Sequence, residues 1–179
     1  MGFSSTLHNK NNKEPEKGFK PLPHYDDLRP PKNNTISPAK QKIFIGHGHS
    51  PIWRELKDFI QDKLKLKYEE YNSTSVAGIG IVDRISDMMS NSSFAFLIMT
   101  GEDSASDGKF HARENVIHEI GLFQGKLGFN RAIILLEEGC EEFSNIHGLN
   151  QIKFPKNKIS AITEEIRDVL RREGFIELL

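Results

Sequence analysis

This chain of 179 residues has a single cysteine, no long apolar run and nearly equal numbers of basic and acidic residues. The single cysteine, Cys140, excludes an internal disulfide and any zinc site built from several thiolates. The longest apolar run, Phe94 to Met99, has six residues, whereas a membrane-spanning helix needs about 20. No secretory signal opens the sequence, so we expect a cytoplasmic protein with no membrane partner.

The composition changes sharply near residue 40. Residues 1–40 hold six of the eight prolines and almost no apolar run, which predicts a flexible Pro/Lys-rich arm. They also hold seven Lys or Arg and four Asp or Glu, which leaves 17 basic and 21 acidic residues in the remainder. This near-neutral to acidic remainder, residues 41–179, is predicted to form one domain and argues against nucleic acid as the main partner.

From residue 42 the apolar pattern alternates between short strands and amphipathic helices. The predicted strands are Lys42–Ile45, Lys67–Tyr71, Phe94–Met99, Ala132–Leu136 and Gln151–Phe154. Strands that alternate with helices predict an α/β protein with a five-stranded parallel, doubly wound sheet. In such sheets ligands bind beyond the carboxyl ends of the strands, which here are the segments Gly46–Ser50, Asn72–Gly80 and Thr100–Phe110.

A carboxylate stands on the margin of the third helix's apolar face. That face consists of Val116, Ile120, Phe123 and Leu127. At about 100° per residue, Glu119 lies roughly 70° from the centre of the face and Glu114 lies well past 120°. We therefore expect Glu119 to be half desolvated and Glu114 to face water. By itself this spacing is more typical of a salt-bridge partner than of a catalytic group.

The segment from Gly46 to Ser50 is the other chemically suggestive feature. Its glycines let a ligand approach the backbone closely, and Ser50-Pro51 predicts the start of a helix that can receive a phosphate. A tight strand-to-helix turn explains the same residues equally well. His47 and His49 lack a neighbouring cluster of cysteines or carboxylates, so we predict no metal site.

Nucleophilic catalysis finds little support. No G-x-S-x-G sequence is present, and the acidic neighbours Glu137 and Glu138 should raise the pKa of the Cys140 thiol. The acidic residues Glu102, Asp103 and Asp107 are interpreted as part of a solvated loop.

Several of these segments together resemble a known family. They are Lys42–Gly48, Thr100 with Asp103, Ala112–Phe123 and Gly125–Gly128. They are similar to the bacterial Toll/interleukin receptor (TIR)-like nucleotide-binding proteins, the group that includes TIR effectors of cyclic-nucleotide anti-phage systems. The resemblance covers roughly residues 42–174, and the helix around Glu119 is its most specific part.

The resemblance implies a flavodoxin-like fold and cleavage of NAD⁺, with NAD⁺ as substrate and no cofactor. The family's essential glutamate maps onto Glu119. The implied substrate-binding residues are Gly46, His47, Gly48, Ser50, Thr74, Thr100, Asp103, Arg113 and Asn115. Arg113 and the backbone of Gly46–Ser50 would hold the phosphates. The loop Asn72–Gly80 corresponds to the one through which TIR domains dock on one another, so a homo-oligomer is expected.

Two other functions remain open from the sequence. One is a non-catalytic TIR scaffold or nucleotide-binding module, and the other is a related nucleoside or nucleotide N-glycosidase. The presence of Glu119 favours an enzyme over a scaffold. The residues do not distinguish NAD⁺ from a related nucleotide as substrate.

Overall fold

A computed structural model describes residues 42–70, 81–104, 108–143 and 151–177. The predictions for the arm of residues 1–40, for the loop of residues 72–80 with Thr74, and for Asp107 therefore lie outside the described residues. The strands and α-helices in chain order are β1 (Lys42–Gly46), α1 (Trp53–Asp58), β2 (Lys67–Glu70), α2 (Ile81–Asn91), β3 (Ser92–Met99), β4 (Asp103–Ser104), β5 (Phe110–His111), α3 (Glu114–Leu127), β6 (Ala132–Glu137), β7 (Gln151–Phe154) and α4 (Thr163–Arg172). A π-helical segment, Phe59–Lys63, continues α1, and a 3-10 helix, Ile159–Ile162, precedes α4.

Five of the strands form one parallel sheet in the order β2-β1-β3-β6-β7. The predicted α/β fold with a five-stranded parallel sheet is thereby confirmed. The central strand β3 is buried throughout Phe94–Met99, as its unbroken apolar sequence predicts. The chain runs outward from β1 to β2 and then returns to β3 on the other side of β1. The strand order therefore reverses at β1, and the crevice expected at such a point lies beyond the carboxyl ends of β1 and β3.

Alternate residues of the strands build a core on each face of the sheet. Ile43 and Ile45 of β1 belong to one core, which includes residues of α1 and α4. Phe44 belongs to the other core, which includes residues of α2 and α3. Its ring stacks on Phe123 of α3 with 4.1 Å between centroids and 14° between planes. This contact fixes α3 against the middle of β1. It thereby determines where the residues one turn earlier on α3 lie along β1.

The start of α1 differs from the prediction. The sequence pair Ser50-Pro51 predicts Ser50 as the N-cap, but the helix begins at Trp53 and has no side-chain cap hydrogen bond. The N–H of Arg54 donates to the carbonyl of Pro51 at 3.0 Å, so a tight turn precedes the helix. The cap prediction was wrong, since the N-cap position is Ile52, and the N–H of Ser50 instead donates to a carboxylate distant in sequence, Glu102.

The segment after β3 also contains more order than predicted. Within the polar stretch Thr100–Phe110, β4 and β5 pair in an antiparallel manner. Their four residues include only one large apolar side chain, Phe110, and it is exposed. Strands this short and this polar carry no alternating pattern, so sequence periodicity could not reveal them.

We predict that Phe123→Ala lowers the free energy of unfolding by about 3–5 kcal/mol, because it empties a fully buried ring site and removes the stack on Phe44. Urea denaturation followed by circular dichroism measures the change. His118→Ala, at an exposed position of the same helix, should change stability by less than about 1 kcal/mol. Equal losses in the two variants would contradict the packing described for α3.

Candidate functional site

Glu119 lies on the buried face of α3 and is only 8% exposed. It is more deeply buried than the half-desolvated position expected from its helical angle. The reason is the residue opposite: Gly46, at the end of β1, has no side chain. A Cβ atom built on Gly46 would lie 2.5 Å from Glu119 Oε2, so only glycine leaves room for the carboxylate there. Glu114 is exposed, as predicted.

Few interactions replace the water that the Glu119 carboxylate loses when it is buried. Its Oε2 is buried and has no hydrogen-bond partner among the described residues. Desolvation by burial raises the pKa of Glu119 to about 7. A carboxylate that is buried without a partner costs free energy, and such an arrangement is more typical of functional sites than of packing sites.

A second carboxylate, Glu102, lies at the same end of the sheet and is fully engaged. It accepts hydrogen bonds from the N–H of His49 (2.8 Å), from the N–H of Ser50 (3.1 Å) and from the Thr100 hydroxyl (2.6 Å). Desolvation acts to raise the pKa of Glu102. The hydrogen bonds from Thr100, His49 and Ser50 outweigh it, so the pKa lies below its ordinary value.

Gly48 makes room for Glu102. A Cβ atom at this glycine would collide with the Glu102 carboxylate group. The sequence predicts that the glycines of this turn admit a ligand, and in the structure Gly48 admits a side chain of the same protein. The N–H groups of His49 and Ser50 are thus occupied, and a phosphate would have to displace Glu102 to use them. Their role as phosphate donors remains a prediction.

The contacts of Glu102 differ from the sequence prediction, which places this residue in a solvated loop. A usable signal was present: Thr100, Gly101 and Glu102 directly follow the most buried strand of the sheet. The strands β1 and β3 are neighbours, so the residues after β3 must meet the turn after β1. The sheet does not pair the backbone N–H groups of a turn, and a nearby carboxylate can accept hydrogen bonds from them.

The side chain of His47 contacts neighbouring residues on several sides. Its ring stacks on Trp53 with 4.4 Å between centroids and 8° between planes. Nδ1 lies 2.7 Å from the carbonyl oxygen of Gly48, so this nitrogen carries a proton and donates it to the carbonyl. Nε2 lies 3.5 Å from Glu70 Oε2, and both side chains are largely buried. The predicted role of His47 in binding substrate is untested, and its visible role is to order the turn.

Arg113 reaches the same turn from the start of α3. Its Nη1 lies 3.0 Å from His49 Nδ1, and because a guanidinium has no acceptor, His49 accepts this hydrogen bond. Arg113 is the residue just before α3, with extended backbone angles. Its guanidinium therefore lies between the first turn of the sheet and the helix that carries Glu119.

The structure brings together most of the residues predicted from the sequence, although their roles remain predictions. Those near the carboxyl ends of β1 and β3 are Gly46, His47, Gly48, Ser50, Thr100, Arg113 and Glu119. Asp103 and Asn115 are exposed, and within the described part of the chain no hydrogen bond joins either to this group. Thr74 lies outside the described residues.

Other chemistries find less support in the described residues. Cys140 is buried, and desolvation together with the charge of Glu137 raises the pKa of its thiol to about 11, in the direction expected from the sequence. No group of three His, Cys, Asp or Glu side chains within these ranges is arranged to hold a metal ion. None of the helices in them is both long enough and apolar enough to cross a membrane.

One cavity of about 390 Å³ lies away from these carboxylates. It is lined by Lys42, Gln61, Lys65, Leu66, Lys67 and Tyr68. Lys42 and Lys67 are the first residues of β1 and β2, so the cavity is at the amino ends of the strands. Ligands of doubly wound sheets bind at the other end, and we therefore assign the site by its side chains and not by this cavity.

Comparison with known proteins places this arrangement in a family. Two curated relatives are similar to the chain. The uncharacterized protein YuaY of Escherichia coli (strain K12) is 27% identical over 132 residues, which is 70% of this chain and 44% of the relative. The CD-NTase-associated protein 12 of Flavobacterium daejeonense is 29% identical over 139 residues, 74% of this chain and 44% of the relative. The chain thus spans less than half the length of each.

A family model gives the broader assignment. The family described as "CAP12/Pycsar effector protein, TIR domain" matches residues 42–156, which include both carboxylates and every strand of the sheet. The resemblance inferred from the helix around Glu119 and the turn around Gly46 is thereby confirmed. This chain belongs to the TIR-domain family of the CAP12/Pycsar effector proteins.

Proposed function

We propose that this protein is an NAD⁺ nucleosidase that hydrolyses the bond between nicotinamide and ribose. The observation that carries the proposal is the buried carboxylate of Glu119 at the carboxyl end of β1, whose Oε2 has no hydrogen-bond partner among the described residues, in a domain of the TIR family. The family description and the relative's name support a role as an effector in defence or signalling.

One carboxylate suffices for this reaction. The C1′–N bond of NAD⁺ breaks with its electron pair moving to the cationic ring, so nicotinamide leaves as a neutral molecule and needs no general acid. The ribose develops oxocarbenium character, and water adds to C1′ and loses a proton. An anionic Glu119 stabilises the developing positive charge and accepts hydrogen bonds from the ribose hydroxyls. A desolvated carboxylate exerts a stronger field than one in water.

Arg113 supplies the positive charge for the phosphates in this proposal. It lies just before α3, two turns from Glu119 along the helix, and among the described residues its guanidinium hydrogen-bonds to the ring of His49. A guanidinium pairs well with phosphate oxygens because its N–H groups form a planar fork. The N–H groups of His49 and Ser50 contribute less while Glu102 occupies them.

We predict that Glu119→Gln abolishes NAD⁺ cleavage, with a loss greater than about a hundredfold, because the change keeps the size of the side chain and removes the anion. Products are identified by mass spectrometry after incubation of concentrated protein with NAD⁺. The matched control is Glu114→Gln, the same change at an exposed position of α3, which should alter the rate by less than about twofold.

The same assay separates the alternatives. If wild-type protein releases no nicotinamide but binds NAD⁺, the protein is a nucleotide-binding scaffold. If it cleaves another nucleotide and leaves NAD⁺ intact, it is a related N-glycosidase. Equal effects of Glu119→Gln and Glu114→Gln would contradict the assignment of Glu119.

We predict that kcat/KM rises with pH between about 6 and 8 and levels off above, because Glu119 acts as an anion and its pKa is raised to about 7. The acidic limb should follow a single ionisation of the free enzyme. A profile that is flat across this range, or that falls with pH, would show that an ionised Glu119 is not required.

Protein stability provides a check on this ionisation that does not depend on activity. The pKa of Glu119 is higher in the folded state than in the unfolded one, so its neutral form favours folding below pH 4.5 and this benefit is lost as pH rises through about 7. The shift corresponds to about 3 kcal/mol. Glu119→Gln should therefore unfold at a higher temperature than wild type at pH 8, and the difference should largely disappear near pH 4.5.

Assembly is part of the proposal, because TIR-type sites are expected to be completed between copies. Specific activity should then rise with protein concentration from nanomolar to high micromolar, or with a crowding agent, in parallel with the appearance of oligomers by light scattering. A specific activity that stays constant while the protein remains monomeric would contradict assembly without affecting the role of Glu119.

A further inference from the structure

We propose that Glu102 is a positioning residue for the substrate site, which holds the turn after β1 and, through His49, the guanidinium of Arg113. The proposal rests on the proposed function, because the ligand that Arg113 meets is the anionic part of NAD⁺. It concerns binding of that part and not the bond that breaks.

Glu102 joins three segments of the chain that meet at the site. Its carboxylate accepts from the N–H groups of His49 and Ser50 in the turn after β1. The Thr100 hydroxyl, at the end of β3, donates to the same carboxylate. The backbone N–H of Glu102 donates to the carbonyl of His111 at 3.0 Å, two residues before Arg113. One residue thus fixes the relative positions of the first turn, the end of β3 and the approach to α3.

The exposure of the donors argues against a purely structural role. His49 is exposed and Ser50 is half-buried, so water can satisfy their N–H groups without any carboxylate. These N–H groups therefore do not need Glu102 to avoid being left without a hydrogen bond. Its hydrogen bonds select one conformation of the turn, and Gly48 keeps the space that this conformation requires. Preorganisation of this kind improves ligand binding because less freedom is lost when the ligand arrives.

His49 connects Glu102 to Arg113. Glu102 holds the backbone N–H of His49, and the ring of the same residue accepts from Arg113. The contacts therefore form a continuous path from Thr100 through Glu102 and His49 to the guanidinium. Glutamine at position 102 cannot replace the carboxylate, since its NH₂ group would face either the N–H of His49 or the N–H of Ser50.

The test combines steady-state kinetics with a double-mutant cycle on the full chain. Glu102→Gln should raise the KM for NAD⁺ by about 5- to 20-fold and change kcat by less than about 3-fold. Arg113→Ala should raise KM at least as much. In the double variant, Glu102→Gln should add less than about 2-fold, because both changes interrupt one path. Glu138→Gln, which removes an exposed carboxylate after β6, should leave KM unchanged.

Two outcomes would overturn the proposal. One is a lower kcat with an unchanged KM in Glu102→Gln, which is the result expected if the residue only maintains the folded fraction. The other is a pair of KM effects that multiply in the double variant. If Glu102→Gln does not fold, Thr100→Val replaces it, because this variant keeps the carboxylate and removes one donor. It should raise KM by about 2- to 4-fold, and an unchanged KM would contradict the path.

Two measurements need no turnover and so separate this proposal from the proposed function. Amide hydrogen exchange at His49 and Ser50 should become at least about tenfold faster in Glu102→Gln, and unchanged exchange would overturn the contact. Calorimetric binding of NAD⁺ to Glu119→Gln protein should weaken by about 5- to 20-fold when Glu102→Gln is added. Absence of cleavage by wild type with this loss of binding would refute the hydrolase and retain the positioning role.

Discussion

The site depends on the close approach of α3 to the end of β1 at a residue that has no side chain. The Phe44–Phe123 stack holds the helix on the strand, and Gly46 leaves the space that the Glu119 carboxylate occupies. A larger residue at position 46 would either expel Glu119 toward solvent or lift α3 off the sheet. The raised pKa of Glu119 follows from this packing, because burial desolvates the carboxylate and no donor among the described residues hydrogen-bonds to its Oε2.

The two glutamates at this end of the sheet have opposite environments. Glu119 is buried with an unpartnered oxygen, and its pKa is raised. Glu102 accepts three hydrogen bonds, and its pKa is lowered. Burial alone would raise both pKa values, so the difference comes from the donors around Glu102, which are the Thr100 hydroxyl first and then the N–H groups of His49 and Ser50. Two carboxylates with separated pKa values can serve different purposes at one pH, and here Glu102 is suited to structure and Glu119 to chemistry.

The sequence predicted the features that depend on long or periodic apolar patterns. The buried strand Phe94–Met99, the strand after Lys67 and the amphipathic helix around Glu119 follow from the apolar pattern alone, and the structure has all three. The approximate burial of Glu119 was predicted as well, but its depth was underestimated, because the depth depends on what faces the helix. A helical angle contains no information about Gly46, which is more than 70 residues earlier in the chain.

Contacts between distant polar residues were the part that the sequence could not provide. The Ser50-Pro51 pair is typical of a helix start, yet the N–H of Ser50 is taken by Glu102 and the helix begins later. The contact between Ser50 and Glu102 depends on the geometry of β1 and β3 as neighbours, which no local pattern specifies.

The occupation of the first turn by Glu102 also changes how the site meets an anion. A glycine-containing turn after the first strand suggests that backbone N–H groups receive a phosphate. In this protein an internal carboxylate already accepts hydrogen bonds from two of those groups, so the proposed function requires positive charge for the phosphate from a side chain. Arg113 meets this requirement, because His49 connects it to the turn while its remaining N–H groups can be offered to a ligand. Under the proposed function, the turn would therefore contribute to ligand binding through its rigidity and through the arginine that it positions.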